Sequence, residues 1–242
     1  MRIWRFPIAK PARKRRIPFV MMKVAALALM MASAGLAQDA EFTPLFNGKD
    51  FAGWWGCGTE DPAKWMALSE KDLAAKKAKS MEDIKKHWKV VDEALVSDGK
   101  GLYLTTEKNY RDFEFRVEYK HGKGADSGIY LRGIPQVQIW DPKGSHPDCK
   151  MGSGGLWNNP KGSKGRDPLM VADSPLGEWN KMFIRMVGDK VTVILNGKTV
   201  VDEAPLQNYF NKGGPLPETG PIQLQTHGAE IIWRNVEIRE LS

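Results

Sequence analysis

The sequence predicts an all-β fold, a jelly-roll β-sandwich with a short helical insertion. Residues 113–120 alternate without a break, Phe113, Phe115, Val117 and Tyr119 on one side and Glu114, Arg116, Glu118 and Lys120 on the other. That is the two-residue period of a half-buried strand. Turn signals such as Ser97-Asp98-Gly99, Gly188-Asp189 and Asn196-Gly197 recur between short apolar runs, as they do in sandwiches and jelly rolls. Neither an internal repeat nor a second domain interrupts this pattern.

Residues 1–37 read as an export signal. A stretch rich in Lys and Arg precedes the apolar run from Val24 to Met31, and Gly35-Leu36-Ala37 offers a cleavage site before Gln38. The run is too short to span a bilayer comfortably. The expected location is periplasmic or extracellular, with no stable membrane insertion after cleavage; the rival reading is a retained N-terminal anchor. The leader also accounts for the net charge of +7, because eight of the 36 basic residues and no acid lie in it. The remaining 28 basic and 29 acidic residues give no electrostatic reason to expect a nucleic-acid partner.

The mature domain is expected over residues 38–242. Phe42 to Phe46 opens it as strand, and Asn47-Gly48-Lys49-Asp50 is a turn. Residues from about 68 to 87 lack Gly and Pro and are rich in Ala, Lys and Glu, with Ser69 and Asp72 placed to cap a helix. Strands follow at 88–91, 101–106, 113–120, 127–132 and 135–140. Asp141 to Asp173 is a long loop rich in Gly, Pro and Asn, of the length that usually carries function or disorder. Strands resume around Gly188-Asp189 and Asn196-Gly197, a helical turn is expected near Leu206–Phe210, and 221–227 and 231–239 close the chain.

Parity then assigns faces. If the apolar residues of each strand point inward, Glu118, Arg132, Gln136, Gln138, Trp140, Gln225 and His227 point outward. Were these strands to share a sheet, one face would carry a carboxylate, a guanidinium, amides, an imidazole and an indole. Such a set hydrogen-bonds sugar hydroxyls and stacks on sugar C–H groups, so a carbohydrate partner is expected. The rival is a plain solvated face, with Glu118 and Arg132 as a cross-strand ion pair and Asp141 and His227 as turn residues. Cys57 and Cys149 are free to pair in an oxidising compartment, but spacing alone does not decide it. The four histidines show no ligand spacing, so no metal site is expected, and a structural calcium on loop carboxylates stays open.

An ordered set of short motifs resembles the 3-keto-disaccharide hydrolase domain family. It runs through Leu45-Phe46-Asn47-Gly48-Lys49-Asp50, Tyr110-Arg111-Asp112-Phe113, Asp126-Ser127-Gly128-Ile129 with Arg132, Val137-Gln138-Ile139 with Asp141, Gly177-Glu178-Trp179-Asn180, Pro221 to Gln225 with His227-Gly228, and Trp233-Arg234-Asn235-Val236. The resemblance implies a concanavalin A-like fold and cleavage of glycosides bearing a C3 ketone, by removal of the C2 proton, loss of the C1 substituent and addition of water. Glu118 or Asp141 is then the candidate base, and His227 base or acid. Arg132 would stabilise the enolate. Gln136, Gln138, Trp140, Gln225 and Trp157 of the long loop would bind sugar. Gln136 departs from the pattern, since a carboxylate often stands there. The alternatives are a non-catalytic lectin-like module and an ordinary glucanase; the Glu-x-Asp-x-x-Glu string of the latter is missing, because Glu114-Phe115-Arg116-Val117-Glu118 lacks the middle acid.

Overall fold

In chain order the elements of the computed structural model are β1 (Thr43–Pro44), β2 (Trp54–Cys57), helices α1 (Pro62–Met66) and α2 (Glu70–His87), β3 (Trp88–Val91), β4 (Ala94–Ser97), β5 (Tyr103–Thr106), β6 (Phe113–His121), β7 (Asp126–Leu131), β8 (Ile134–Trp140), β9 (Asn180–Val187), β10 (Lys190–Leu195), β11 (Lys198–Pro205), β12 (Gln223–Leu224) and β13 (Ile231–Glu240). Residues 41–241 are described, so the expected signal peptide lies outside them. No helix among the described residues is long and apolar enough to cross a membrane.

The strands form two antiparallel sheets. The larger runs β11-β10-β9-β6-β13-β4-β3, with β1 paired to β13; the smaller runs β2-β5-β12-β7-β8. Between them lies one continuous core that includes Phe113, Phe115 and Tyr119 of β6, Ile129 and Leu131 of β7, Val137 and Ile139 of β8, Leu224 and Trp233. Burying each such side chain favours the fold by about 1.5–3 kcal/mol before entropy is counted. Tight turns fix the register. Arg132 and Gly133 both take positive φ, 53° and 74°, in a two-residue link between β7 and β8. Asn196 and Gly197 do the same at 49° and 78°, the signature of a type I′ hairpin turn.

Both flanks of the sandwich are covered. On one side β2 and β3 are edge strands, and α2 packs against both. Ser69 accepts the amide of Asp72 at the α2 start, and Lys85, Lys86 and His87 occupy the last turn, where cations suit the helix dipole. Ser80 of α2 accepts the amide of Gly56 at 2.9 Å, shielding the β2 edge. On the other side the loop 141–173 runs along β8, with Gln138 N donating to Gly155 O and Gly154 N to Gln138 O. The loop is therefore an ordered edge cover. No helical turn forms at Leu206–Phe210, where Pro205 and Pro215 bracket a segment held by Asn208 side-chain bonds. Cys57 and Cys149 are separate, buried thiols.

Candidate functional site

Strand parity divides the smaller sheet sharply. Leu104, Ile129, Val137, Ile139 and Leu224 enter the core, so Tyr103, Thr105, Asp126, Tyr130, Gln136, Gln138, Trp140, Gln223 and Gln225 stand on the other face. Register orders them into rows. Gln223 lies opposite Thr105 and Tyr130. Gly128 lies opposite Gln138, and Asp126 opposite Trp140. Beyond β12 the backbone stays beside β7, with Gln225 N donating to Gly128 O and Asp126 N to His227 O. That brings His227 next to Asp126.

A hydrogen-bond chain links β8 to Asp126, whose carboxylate lies beside His227. The Gln136 amide donates to the Gln138 carbonyl. The Gln138 amide donates to Asp126 Oδ1 at 2.8 Å, and to the backbone oxygens of Ser127 and Ile139 at 2.9 and 3.1 Å. His227 Nδ1 lies 3.4 Å from Asp126 Oδ2. Gly128 makes room for this chain, since a Cβ there would sit 2.6 Å from Gln136 Oε1. The arrangement sets a carboxylate beside an exposed imidazole, a pairing of the kind used in acid–base chemistry.

A second cluster sits toward β5. The Gln225 amide points at the Tyr103 and Tyr130 hydroxyls, 3.3 and 3.5 Å away. Thr59, between β2 and α1, bonds the same hydroxyls at 3.2 and 2.7 Å. Burial pushes the Tyr130 phenol above its ordinary range, so it stays a neutral donor. Two amide oxygens, Gln136 Oε1 and Gln225 Oε1, are buried without a partner. Unpaired buried acceptors are uncommon and call for a reason, such as a ligand that brings donors.

Several predicted site residues lie elsewhere. Glu118 belongs to β6, in the larger sheet, so the premise of one shared sheet fails for it. Arg234 donates to its carboxylate at 2.8 and 2.7 Å, in a cross-strand pair. Arg132 sits at the β7–β8 turn, six residues from Asp126, or about 20 Å at strand spacing. Its guanidinium is engaged by Arg111 O, Pro217 O and Asp112 at 2.6, 3.2 and 2.9 Å. Each of its three nitrogens is thus tied to the far end of the strand, away from His227.

Asp141 is buried and caps a turn. Burial raises its pKa, but amides of Gly124 and Lys143, each at 2.9 Å, hold the carboxyl below its ordinary range. With both oxygens bound it is poorly placed to act as a base. Gln138 has its amide fully engaged within the protein and so orients Asp126. His146 lies parallel to the Trp140 ring, centroids 5.0 Å apart, and Arg166 lies 3.7 Å over Trp157. One face of each indole is thus already covered. Gln136, Gln225 and His227 remain with free groups on the face.

Sequence reasoning missed Asp126, Thr59, Tyr103 and Tyr130 as site residues. Asp126 lies in a quoted motif, but its strand was begun at Ser127. Tyr103 and Tyr130 are outward by the same parity that placed Gln138. Among the described residues no group of three or more His, Cys, Asp or Glu side chains is placed to hold a metal ion.

Known proteins match this chain in sequence and in fold. Residues 41–239 match the 3-keto-alpha-glucoside-1,2-lyase-like domain. A Bacteroides thetaiotaomicron protein named 3-keto-disaccharide hydrolase is 27% identical over 259 aligned positions, covering 87% of this chain and 82% of its own length. A provisionally assigned glycosyl hydrolase from Parabacteroides distasonis shares the fold, with a TM-score of 0.58 at 23% identity over 83% of this chain and 94% of that one.

Proposed function

The chain belongs to the 3-keto-alpha-glucoside-1,2-lyase-like domain family, and on that premise we propose that it hydrolyses glycosidic bonds of sugars carrying a C3 ketone. The observation that carries this reading is the Asp126–His227 pair at the end of the Gln136–Gln138 chain. A C3 ketone acidifies the C2 hydrogen. Asp126 holds His227 Nδ1–H, and Nε2 removes the C2 proton. The C–H electron pair forms the enolate, and a free Gln136 amide proton offers that oxygen a hydrogen bond. Collapse of the enolate restores the C3 carbonyl, makes the C1–C2 double bond and expels the C1 oxygen with its electron pair. Tyr103 and Tyr130 are candidate proton donors to that oxygen. Water then adds across C1–C2, so the net change is one glycoside plus one water to a keto-sugar and an alcohol.

Catalysis would occur outside the cytoplasm, in the periplasm or beyond, with residues 1–37 as the export signal. The leader's basic stretch, apolar run and small-residue exit support that location. No cofactor enters the proposed steps, because proton transfer and elimination need only the base, the donors and water.

The test is incubation of the purified chain, from Gln38 onward, with 3-keto-glycosides in heavy water. Aglycone release and deuterium at C2 are expected, and both should be lost in His227→Gln. Binding without release or exchange would refute the catalytic reading and leave a lectin-like protein.

A further inference from the structure

The His227 side chain is 63% exposed and lies 3.4 Å from Asp126, longer than a good hydrogen bond. Its place is set by the residues on either side of it. Thr226 is buried, and its hydroxyl pairs with that of Ser97 at the end of β4. That bond ties the chain leaving β12 to the larger sheet. On the other side Gly228 N donates to Gly99 O at 3.1 Å. Ala229 packs so closely there that a Cβ on Gly99 would lie 2.7 Å from its amide nitrogen. Ser97 Oγ also accepts Gly99 N at 3.1 Å, so one turn, Ser97-Asp98-Gly99, grips His227 from both flanks. The helical insertion carries that turn. His87 Nδ1 of α2 lies 3.0 Å from Asp98 Oδ2, and Asp98 N donates to His87 O at 3.1 Å. Asp83 Oδ1 accepts Leu102 N at 2.6 Å where the chain runs on into β5.

We propose that this turn, carried by the end of α2, positions His227 for proton transfer, with Ser97 and Thr226 as the positioning residues. The inference rests on the catalytic reading of His227 and adds to it the groups that hold the base in place. Strand parity calls for apolar side chains at both positions. Leu95 and Leu224, two residues before Ser97 and Thr226, are fully buried. Hydroxyls cost free energy to bury unless they are bonded, and a pair of apolar groups of the same shape would serve the fold about as well. What the hydroxyl pair adds is direction, since a hydrogen bond fixes the separation and angle of its partners. Gly99 completes the grip, because φ of 85° and the Ala229 backbone leave no place for a side chain. An error of about 1 Å in the placement of a catalytic group costs up to about 10²-fold in rate. An exposed imidazole cannot supply that precision by itself, so it must come from the backbone that bears it.

The test measures kcat and KM for a 3-keto-glycoside in wild type, Thr226→Val, Thr226→Ser and Ser97→Ala, with Glu118→Gln on the larger sheet as the control for a general loss of stability. Thr226→Val should lower kcat about tenfold and leave KM within about twofold. Thr226→Ser, which keeps the hydroxyl, should restore kcat. Ser97→Ala frees both flanks and should lose at least as much. Adding Thr226→Val to it should cost little more, because the two residues act through one bond. A kcat in Thr226→Val within about twofold of wild type, a loss that Thr226→Ser does not repair, or an equal loss in Glu118→Gln would overturn the proposal. Should wild type turn over no 3-keto-glycoside, the catalytic reading fails by itself, and backbone order parameters measured by NMR decide the clamp. The His227 amide should be as rigid as a strand in wild type, with S² about 0.85, and fall below about 0.6 in Thr226→Val; equal values in the two proteins would remove it.

Discussion

Replacing Asp126 with Asn tests the proposed base most directly. The substitution keeps the shape, and Oδ1 can still accept from Gln138, now at 2.8 Å. The atom facing His227 Nδ1 then becomes an N–H donor. Nδ1 must accept, the ring proton moves to Nε2, and the lone pair needed at C2 is gone. The charge is lost as well. Two unit charges 3.4 Å apart attract by about 5 kcal/mol at an effective dielectric of 20 and about 1 kcal/mol in bulk water. His227 and Asp126 side chains are 63% and 37% exposed, which places the pair near the watery limit, at about 1–2 kcal/mol or roughly 5–30-fold in rate. Adding the tautomer penalty to this, kcat should fall about 10²–10³-fold, within the range general bases contribute. KM should change little. The assay is aglycone release and C2 deuterium exchange, run in parallel, with circular dichroism to show that the fold is intact. If both rates stay within about threefold of wild type, His227 is not a base oriented by Asp126.

Four other outcomes follow from the same geometry. Gln136→Glu sets a carboxylate against the Gln138 carbonyl, so its activity relative to wild type should fall as pH rises and the new acid ionises; a ratio flat between about pH 4 and 9 would show that the Gln136 link does not matter. Glu118→Gln should leave kcat within about twofold and cost about 1 kcal/mol of stability, a few degrees in Tm, because it loosens only the Arg234 and Lys181 pairs of the larger sheet; a large loss of activity would return Glu118 to the site. Asp141→Asn should lower Tm by roughly 3–10 °C with kcat nearly unchanged. Because the folded carboxyl titrates below its ordinary 3.8, that stabilisation is complete above the unfolded pKa and lost as pH falls through the folded one, so the wild-type advantage should shrink in acid; an advantage that grows in acid would contradict this. Burial, then Glu60, pushes the Cys57 thiol up to about 12, so native protein should react slowly with a thiol reagent at mildly alkaline pH and release both thiols on unfolding; a disulfide seen by mass would refute this.

What the sequence disclosed and what it hid divide along one physical line. Parity is local: side chains two apart share a face whatever the strand's neighbours. That is why Gln136, Gln138, Gln225 and the inward Ile129, Val137 and Leu224 could be assigned from the chain alone, and why the ordered motifs led to the right fold. Strand order is not local. β6 joins β13 and β9 rather than β7, the next strand in the chain, and nothing between His121 and Asp126 announces that the chain crosses there to the other sheet. Glu118 therefore had the correct parity and the wrong sheet. Arg132 and Asp141 failed for a related reason. A turn-end Arg and a pre-proline Asp look like free functional groups until the backbone donors and acceptors around them are known. Here those partners are Arg111, Pro217, Gly124 and Lys143, which parity cannot bring together. The same limit explains Thr59, whose strand ends two residues earlier and whose contact with Tyr130 spans 71 positions. Charge and shape alone made the acids and the indoles stand out. The groups gathered on this face are instead two unpartnered amide oxygens, two phenols and one imidazole, ordinary in composition and set apart only by where the strands bring them.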